Sequence, residues 1–459
     1  MRSRRPARAW FVAALGLAAT PAAAQQLSLA EALRRADAGA YANRIAAGQH
    51  TERAGQRQMA LRGILPTLRA EGGFVRTTEP LGAFAATLRQ RTVTLASFDP
   101  ARLNYPPPTG NWGAALVAEV PLVNVDAWAG RRAADQGAAA GAAAGEWTRL
   151  GTRTDVIRAY YGAVLAIERV ATLTAAAAAA QGHVRQAEAM VREGLATRSD
   201  ALLAAVKAGE IEAQLTEAHA DARDARRQLA VLVGAPAETS FVLPVSLPSA
   251  DRIRLIAVPD TVAAVVAARA DVDAAERGLA AARADAVRAK SAYLPRVNSF
   301  ARLDWNSPSG LYAGDDSWSV GLMLSWTPFA GGSEIGDIRS AGGREAAARA
   351  MAEAAAARAG LELAQTRAAL QVALARLDIA ERAVAQSAEA HRIVTRKYEG
   401  GLAGVVELLD AAATETASAL GFAHARFAAI AAAAARRQAT GGDPGTLATL
   451  DAAGPGTEP

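Results

Sequence analysis

The chain has 459 residues, with 50 basic against 45 acidic side chains and no cysteine. The missing thiol excludes disulfides, zinc–thiolate sites, cysteine catalysis and lipid attached to an N-terminal cysteine. Four of the basic residues (Arg2, Arg4, Arg5 and Arg8) fall within the first 24 positions, so the rest carries 46 against 45, and no basic patch speaks for nucleic acid.

The first element is a targeting segment. Those four arginines precede an apolar run from Ala9 to Ala19, then Pro21 and the small-residue site Ala22-Ala23-Ala24. This is the layout of a secretory signal peptide over residues 1–24. The apolar run is too short for a spanning helix, which needs about 20 residues.

Residues 25–234 form a first repeat. A capping box, Ser28 to Glu31, opens a helix over 27–63 that Pro66 ends. A strand over 68–76 and a long loop over 77–111 follow. In the second strand, Trp112, Ala114, Leu116, Ala118, Val120 and Leu122 share one apolar face. A proline-free helix runs over 125–190, and about 65 residues at ~1.5 Å each make a rod of about 100 Å. It turns at Glu193-Gly194-Leu195 into a helix over 199–233, which closes at Gly234-Ala235-Pro236. Residues 235–259 read as a connector.

The same order returns in residues 260–440. A helix over 261–293 and Leu294-Pro295 lead to strands over 297–305 and 317–327. A helix over 333–397, a turn at Gly400-Gly401-Leu402 and a helix over 405–437 complete the copy. Trp112 and Trp318 are offset by 206 positions, and Gly194 and Gly401 by 207. Residues 441–459, rich in glycine and proline, read as a disordered tail.

The last strand alternates strictly, with Trp318, Val320, Leu322, Leu324 and Trp326 on one face. It is long enough to cross a bilayer when tilted, and its terminal tryptophans suit an interfacial girdle, to which Trp112 and Trp305 add. After residue 24, no run of about 18 apolar residues free of charge or glycine is expected, since Ala175–Ala180 and Ala428–Ala435 are polyalanine. A membrane would therefore be crossed by strands. Each copy supplies two, so four per chain, and membrane barrels need eight or more. An open edge in lipid strands backbone polar groups. The chain must oligomerise: a dimer gives eight strands and a trimer twelve.

Over residues 27–441 the sequence resembles the TolC family of outer-membrane channels. The resemblance is carried by Leu65-Pro66 and Leu294-Pro295, by Tyr160-Tyr161, and by the run from Trp326 to Gly332. Tyr398-Glu399-Gly400-Gly401 followed by Val406 to Ala411 completes it. It implies a mostly helical chain with membrane β-structure and a two-fold internal repeat. It also implies a homotrimeric twelve-stranded outer-membrane β-barrel, four strands per chain, continuous with a long periplasmic α-helical barrel. The partners it implies are a periplasmic adaptor, an inner-membrane pump of RND or ABC type, and the lipid of a Gram-negative outer membrane. The function it implies is passive exit in tripartite efflux or type I secretion.

Glu407 and Asp410, three apart, share one helix face. They match the family's acidic ring at the closed periplasmic end, Tyr398 matches a constriction residue, and Asp200 matches its inter-hairpin partner. The family's arginine in that network falls on Ala403, a departure for which Arg198 is the nearby substitute. The same acids would also serve as capping acids on a wet helix face. Gly194-Leu195 and Gly401-Leu402 resemble the tips that meet the adaptor, although any tight helix turn favours glycine.

The five histidines form no His-x-x-x-His metal set, and no phosphate loop or nucleophile elbow is present. Neither catalysis, a metal nor a cofactor is expected. Two other classes remain in view. A periplasmic adaptor would show one hairpin with β-rich flanks, and a coiled-coil scaffold would need sustained heptads.

Overall fold

The computed structural model describes residues 25–257, 269–311 and 313–451. The signal peptide, the beginning of the helix expected over 261–293, and the last eight residues lie outside the described residues.

The chain begins with β1 (Gln25–Gln26), and α1 (Leu29–Gly39) follows, with the Ser28 hydroxyl accepting from the Glu31 N–H (3.3 Å). The single helix expected over 27–63 is broken. Ala40 is extended (φ −59°, ψ 134°), and α2 (Tyr41–Met59) and a 3₁₀ turn over Ala60–Gly63 follow it. The break is braced by the Asn43 side chain, which donates to the Ala36 carbonyl (3.0 Å) alongside the Ala40 N–H (3.0 Å).

β2 (Thr67–Thr77) and β3 (Thr109–Val123) form the first hairpin. Between them the expected loop contains α3 (Pro80–Arg89) and α4 (Pro100–Asn104). Each starts with an acid at the N-cap and proline at the first helical position, which pre-sets φ and needs no N–H partner.

The long helices nearly match between copies. α5 (Val125–Arg192) has 68 residues and α9 (Ser333–Glu399) has 67, while α6 (Arg198–Leu232) and α10 (Val405–Ala439) have 35 each. The first half of α5 runs beside α2, joined by Arg57–Asp135 (2.7 Å) and Arg53 to the Gly137 carbonyl (3.1 Å). Its second half runs beside α6, with Arg169 bonded to Asp221 (2.8 Å). One rod therefore spans two shorter helices. α8 (Ala270–Ser291) packs on α5 and α9.

The largest core sits at the waist. Val156, Ile157, Tyr160, Tyr161 and Val164 of α5 are buried with Leu27 and Leu29, with Leu377 of α9 and with Ile430 of α10. The connector contributes β4 (Phe241–Val242), which pairs in parallel with β1, and α7 (Ala250–Ile256). A buried ion pair fastens it: Arg426 bonds to Glu168, and donates to the Leu247 carbonyl (3.0 Å), while Glu168 accepts from the Leu247 N–H (2.9 Å). Removing one partner of such a pair strands the other charge, at about 3–5 kcal/mol.

One further expectation needs correction here. The segment after residue 441 is ordered as far as Asp451. Pro444–Leu450 is a 3₁₀ helix whose Leu447 and Leu450 are buried in the waist core. Asp451 accepts from the Leu29 N–H (2.9 Å) at the start of α1 and from the Tyr161 hydroxyl (3.1 Å). A glycine- and proline-rich composition hid two leucines and an aspartate with specific partners. Burial, and then the Asp451 charge, raises the Tyr161 phenol well above its ordinary value. α5 and α10 each carry an 18-residue window apolar enough, by length and composition alone, to cross a membrane, but the window in α5 includes Glu168 and Arg169 and that in α10 includes Gly421 and Arg426, so no run free of charge and glycine is present there. Alanine supplies much of that hydropathy. It buries little area per residue, and both helices face partner helices.

Candidate functional site

β5 (Arg296–Ser307) and β6 (Asp315–Ser325) form the second hairpin, and the four long strands make one antiparallel sheet in the order β2-β3-β5-β6. The register aligns chemistry across all four. One row is Ala70, Leu116, Leu303 and Trp318, and the next is Leu68, Ala118, Ala301 and Val320. This apolar face ends in β6 with Trp318 73%, Val320 66%, Leu322 71% and Leu324 67% exposed. A patch of that kind on a single chain marks an interface with protein or lipid.

The opposite face is polar. Arg302 bonds to Asp304 (2.8 Å) and approaches Glu71 (3.4 Å). Asn298 donates to Glu119 (2.7 Å), and Asn111 donates to Asn306 (2.8 Å). Both outer strands, β2 and β6, lack a partner on their far sides among the described residues.

The tryptophans mark both ends of the apolar face. Trp112, Trp305 and Trp318 lie toward the loop end, Trp112 against Phe74 with ring centroids 4.8 Å apart. Trp326 falls one residue beyond β6, and its indole N–H donates to the Tyr293 carbonyl (3.0 Å) where α8 ends.

At the far end of the helices, the two turns are built alike. The Leu195 N–H bonds to the Met190 carbonyl (2.8 Å) and the Gly194 N–H to Val191 (3.1 Å). Leu402 bonds to Lys397 (2.7 Å) and Gly401 to Tyr398 (3.0 Å). These are Schellman caps, and Gly194 (φ +74°) and Gly401 (φ +72°) occupy the left-handed position that the motif requires. A Cβ would touch nothing at either site, so glycine is needed for backbone conformation, not for space. Leu195 (69%) and Leu402 (82%) project into solvent.

Glu407 and Asp410 are exposed on the first turns of α10. The other face of those turns, Val405, Leu408 and Leu409, is buried against Ala187, Ala204 and Tyr398. The expected bond between Tyr398 and Asp200 is not made within the chain. The Tyr398 hydroxyl is buried with no partner, and Asp200 instead accepts from the Thr197 N–H (2.9 Å) and hydroxyl (2.8 Å) in a capping box. Those bonds hold the Asp200 carboxyl below its ordinary value, whereas burial raises the Tyr398 phenol. Arg198 is exposed and makes no ion pair with the described residues, so it does not replace the arginine absent at Ala403 within one chain.

One grouping escaped the sequence reading. His183 on α5 and His391 on α9 meet edge to face, with ring centroids 5.9 Å apart. His391 Nδ1 bonds to Glu415 of α10, and the Nε2 atoms of both rings are buried without a partner. Asp410, Lys207 and Glu210 line the cavity beside them, about 530 Å³ in volume. The signal was available: the two histidines are 208 positions apart, one more than the repeat offset. No set of three or more metal-ligating side chains occurs among the described residues.

Residues 262–442 match the family model "Outer membrane efflux protein". No curated protein matches by sequence. Solved structures match across most of the chain. The outer membrane protein VceC of Vibrio cholerae superposes with a TM-score of 0.75 at 22% identity, over 90% of this chain and 96% of its own. The Campylobacter jejuni CmeC outer membrane channel gives 0.77 at 16%, over 90% and 86%. The Neisseria gonorrhoeae MtrE outer membrane channel, in its open state, gives 0.71 at 20%, over 91% and 89%. These findings bear out the resemblance: residues 262–442 match the outer membrane efflux protein model, and the chain has the fold of these outer membrane channels.

Proposed function

We propose that three copies of this chain close a twelve-stranded barrel in the outer membrane, continuous with a periplasmic tube of helices. Through it an inner-membrane pump and its adaptor expel substrate, in efflux or type I secretion. The carrying observation is the four-stranded sheet, apolar on one face, polar on the other and open at both edges. In lipid each unpaired backbone group costs several kcal/mol, so the edges must pair with other copies. β2 and β6 run in opposite directions, so β6 of one copy meets β2 of the next antiparallel and the ring closes with the polar face inward. Two complete hairpin repeats disfavour an adaptor, which needs one. The duct does no chemistry; the pump supplies the energy.

Glu407 and Asp410 serve as the periplasmic acidic rings, with Tyr398 and Asp200 beside them. Gly194-Leu195 and Gly401-Leu402 serve as the adaptor-facing tips. In a threefold tube with the exposed face of α10 turned inward, Glu407 and Asp410 make two stacked rings of three carboxylates. The unpartnered Tyr398 hydroxyl is available to a neighbouring copy.

The full-length protein should fractionate with the outer membrane as a heat-resistant oligomer. In planar bilayers, the paired Glu407→Gln and Asp410→Asn substitutions should reduce cation preference and block by divalent cations. Unchanged selectivity sinks the gate assignment, and a detergent-free monomer sinks the channel.

A further inference from the structure

Between β2 and β3 the chain spends residues 78–108, whereas β5 and β6 are joined by residues 308–314 only. The longer segment does not extend away from the sheet. α3 lies against β3 and β5, and its Arg89 lines the same cleft as Glu71, Arg302, Asp304 and Ser317, all on the polar face. Just past α3, Gln90 is 8% exposed and donates to the Gly110 carbonyl and to Asn111 Oδ1, both at 2.8 Å. Arg91 then reaches the opposite edge of the sheet. It donates to the Asp316 carbonyl (2.8 Å) and sits 3.7 Å from the Asp315 carboxylate. A segment that leaves from β2 is thus fastened to β6.

The fastening has a backbone signature. α3 ends in the same Schellman motif as the hairpin turns, with Arg91 N–H bonded to Leu88 (3.1 Å) and Thr92 N–H to Thr87 (3.0 Å). At Gly194, Gly234, Gly401 and Gly441 the left-handed position is glycine, but here it is Arg91 (φ +54°). Glycine would fit with less strain, so the side chain is what the position retains.

We propose that residues 78–108 form a strap across the bore, latched by Gln90 and Arg91, which makes the outer end of the duct a second constriction that selects cargo by size. The inference rests on the closed-barrel reading above. Twelve strands about 4.8 Å apart, tilted by about 40°, enclose a ring about 24 Å across. A helix with its side chains is about 10 Å thick, so three straps leave a gap of a few Å. Large cargo passes only when the straps swing aside, and Arg91 must then leave Asp316.

The test exploits the absence of cysteine. Ser317→Cys places a thiol on the polar face beneath the strap. In intact cells, a small membrane-impermeant maleimide should label it and a long polyethylene-glycol maleimide should not. Adding Arg91→Gly, which suits the backbone while removing the latch, or Gln90→Ala, should raise labelling by the large probe about tenfold, as the open population grows. Rapid labelling by the large probe with the latch intact, or no gain in either variant, overturns the strap. If the small probe labels only after lysis, the outward-facing channel itself is wrong, and the strap falls with it.

Discussion

Asp200 and Glu407 occupy equivalent places in the two repeats, 207 positions apart, and one neighbour separates their fates. Asp200 is held by Thr197 at the N-cap, whereas the equivalent cap of α10 is Gly404, which has no side chain to offer. Glu407 therefore makes no such capping bond and stays exposed. The spacing of these acids was legible in the sequence. That Thr197 would occupy Asp200, or that the Tyr398 hydroxyl would be left unpartnered, was not, because both depend on where one hairpin lies against the other. The histidine pair is a second case. Burial, and then the nearby His391, lowers the His183 pKa, so the unfolded chain takes this proton at higher pH than the folded one. The contribution is intact above the unfolded value of about 6.5 and is lost as the pH falls below it. The unfolding temperature should accordingly drop between pH 7 and pH 5, and His183→Phe should flatten that slope in thermal melts.

The helices were the easiest elements to read, since α5, α6, α9 and α10 lie within two residues of the bounds that periodicity and turn chemistry give. Misreadings fell where tertiary partners decide. Ala40 breaks a helix that local propensity would continue, and residues 78–108 fold against a sheet absent from any local window. The hairpin turns show how tightly conformation can bind a residue. Gly401→Ala meets no steric obstacle, yet it forces a Cβ into the left-handed region at a cost of about 1 kcal/mol. It should raise amide exchange around residues 396–404 while leaving the waist protected. Equal exchange in both proteins would show that the turn does not depend on its glycine.

For the whole molecule, the proposed assembly ties stability to oligomerisation. Leu322 lies on the apolar face of β6, midway between Trp318 and Trp326. Leu322→Arg should cost about 2–4 kcal/mol per copy if that face meets the bilayer midplane. Heat-resistant oligomer should then fall while the helical signal in circular dichroism persists. An undiminished oligomer yield would place this face away from lipid. The alternation of side chains, the length of the rods and the doubling of the pattern follow from the sequence alone, because periods of two and 3.6 residues are local properties of the backbone. Which faces meet was settled only in three dimensions. The C-terminal segment ending at Asp451 locks onto α1, two histidines meet across the bundle, and Arg91 reaches the far strand, because contacts between residues hundreds of positions apart leave no local trace.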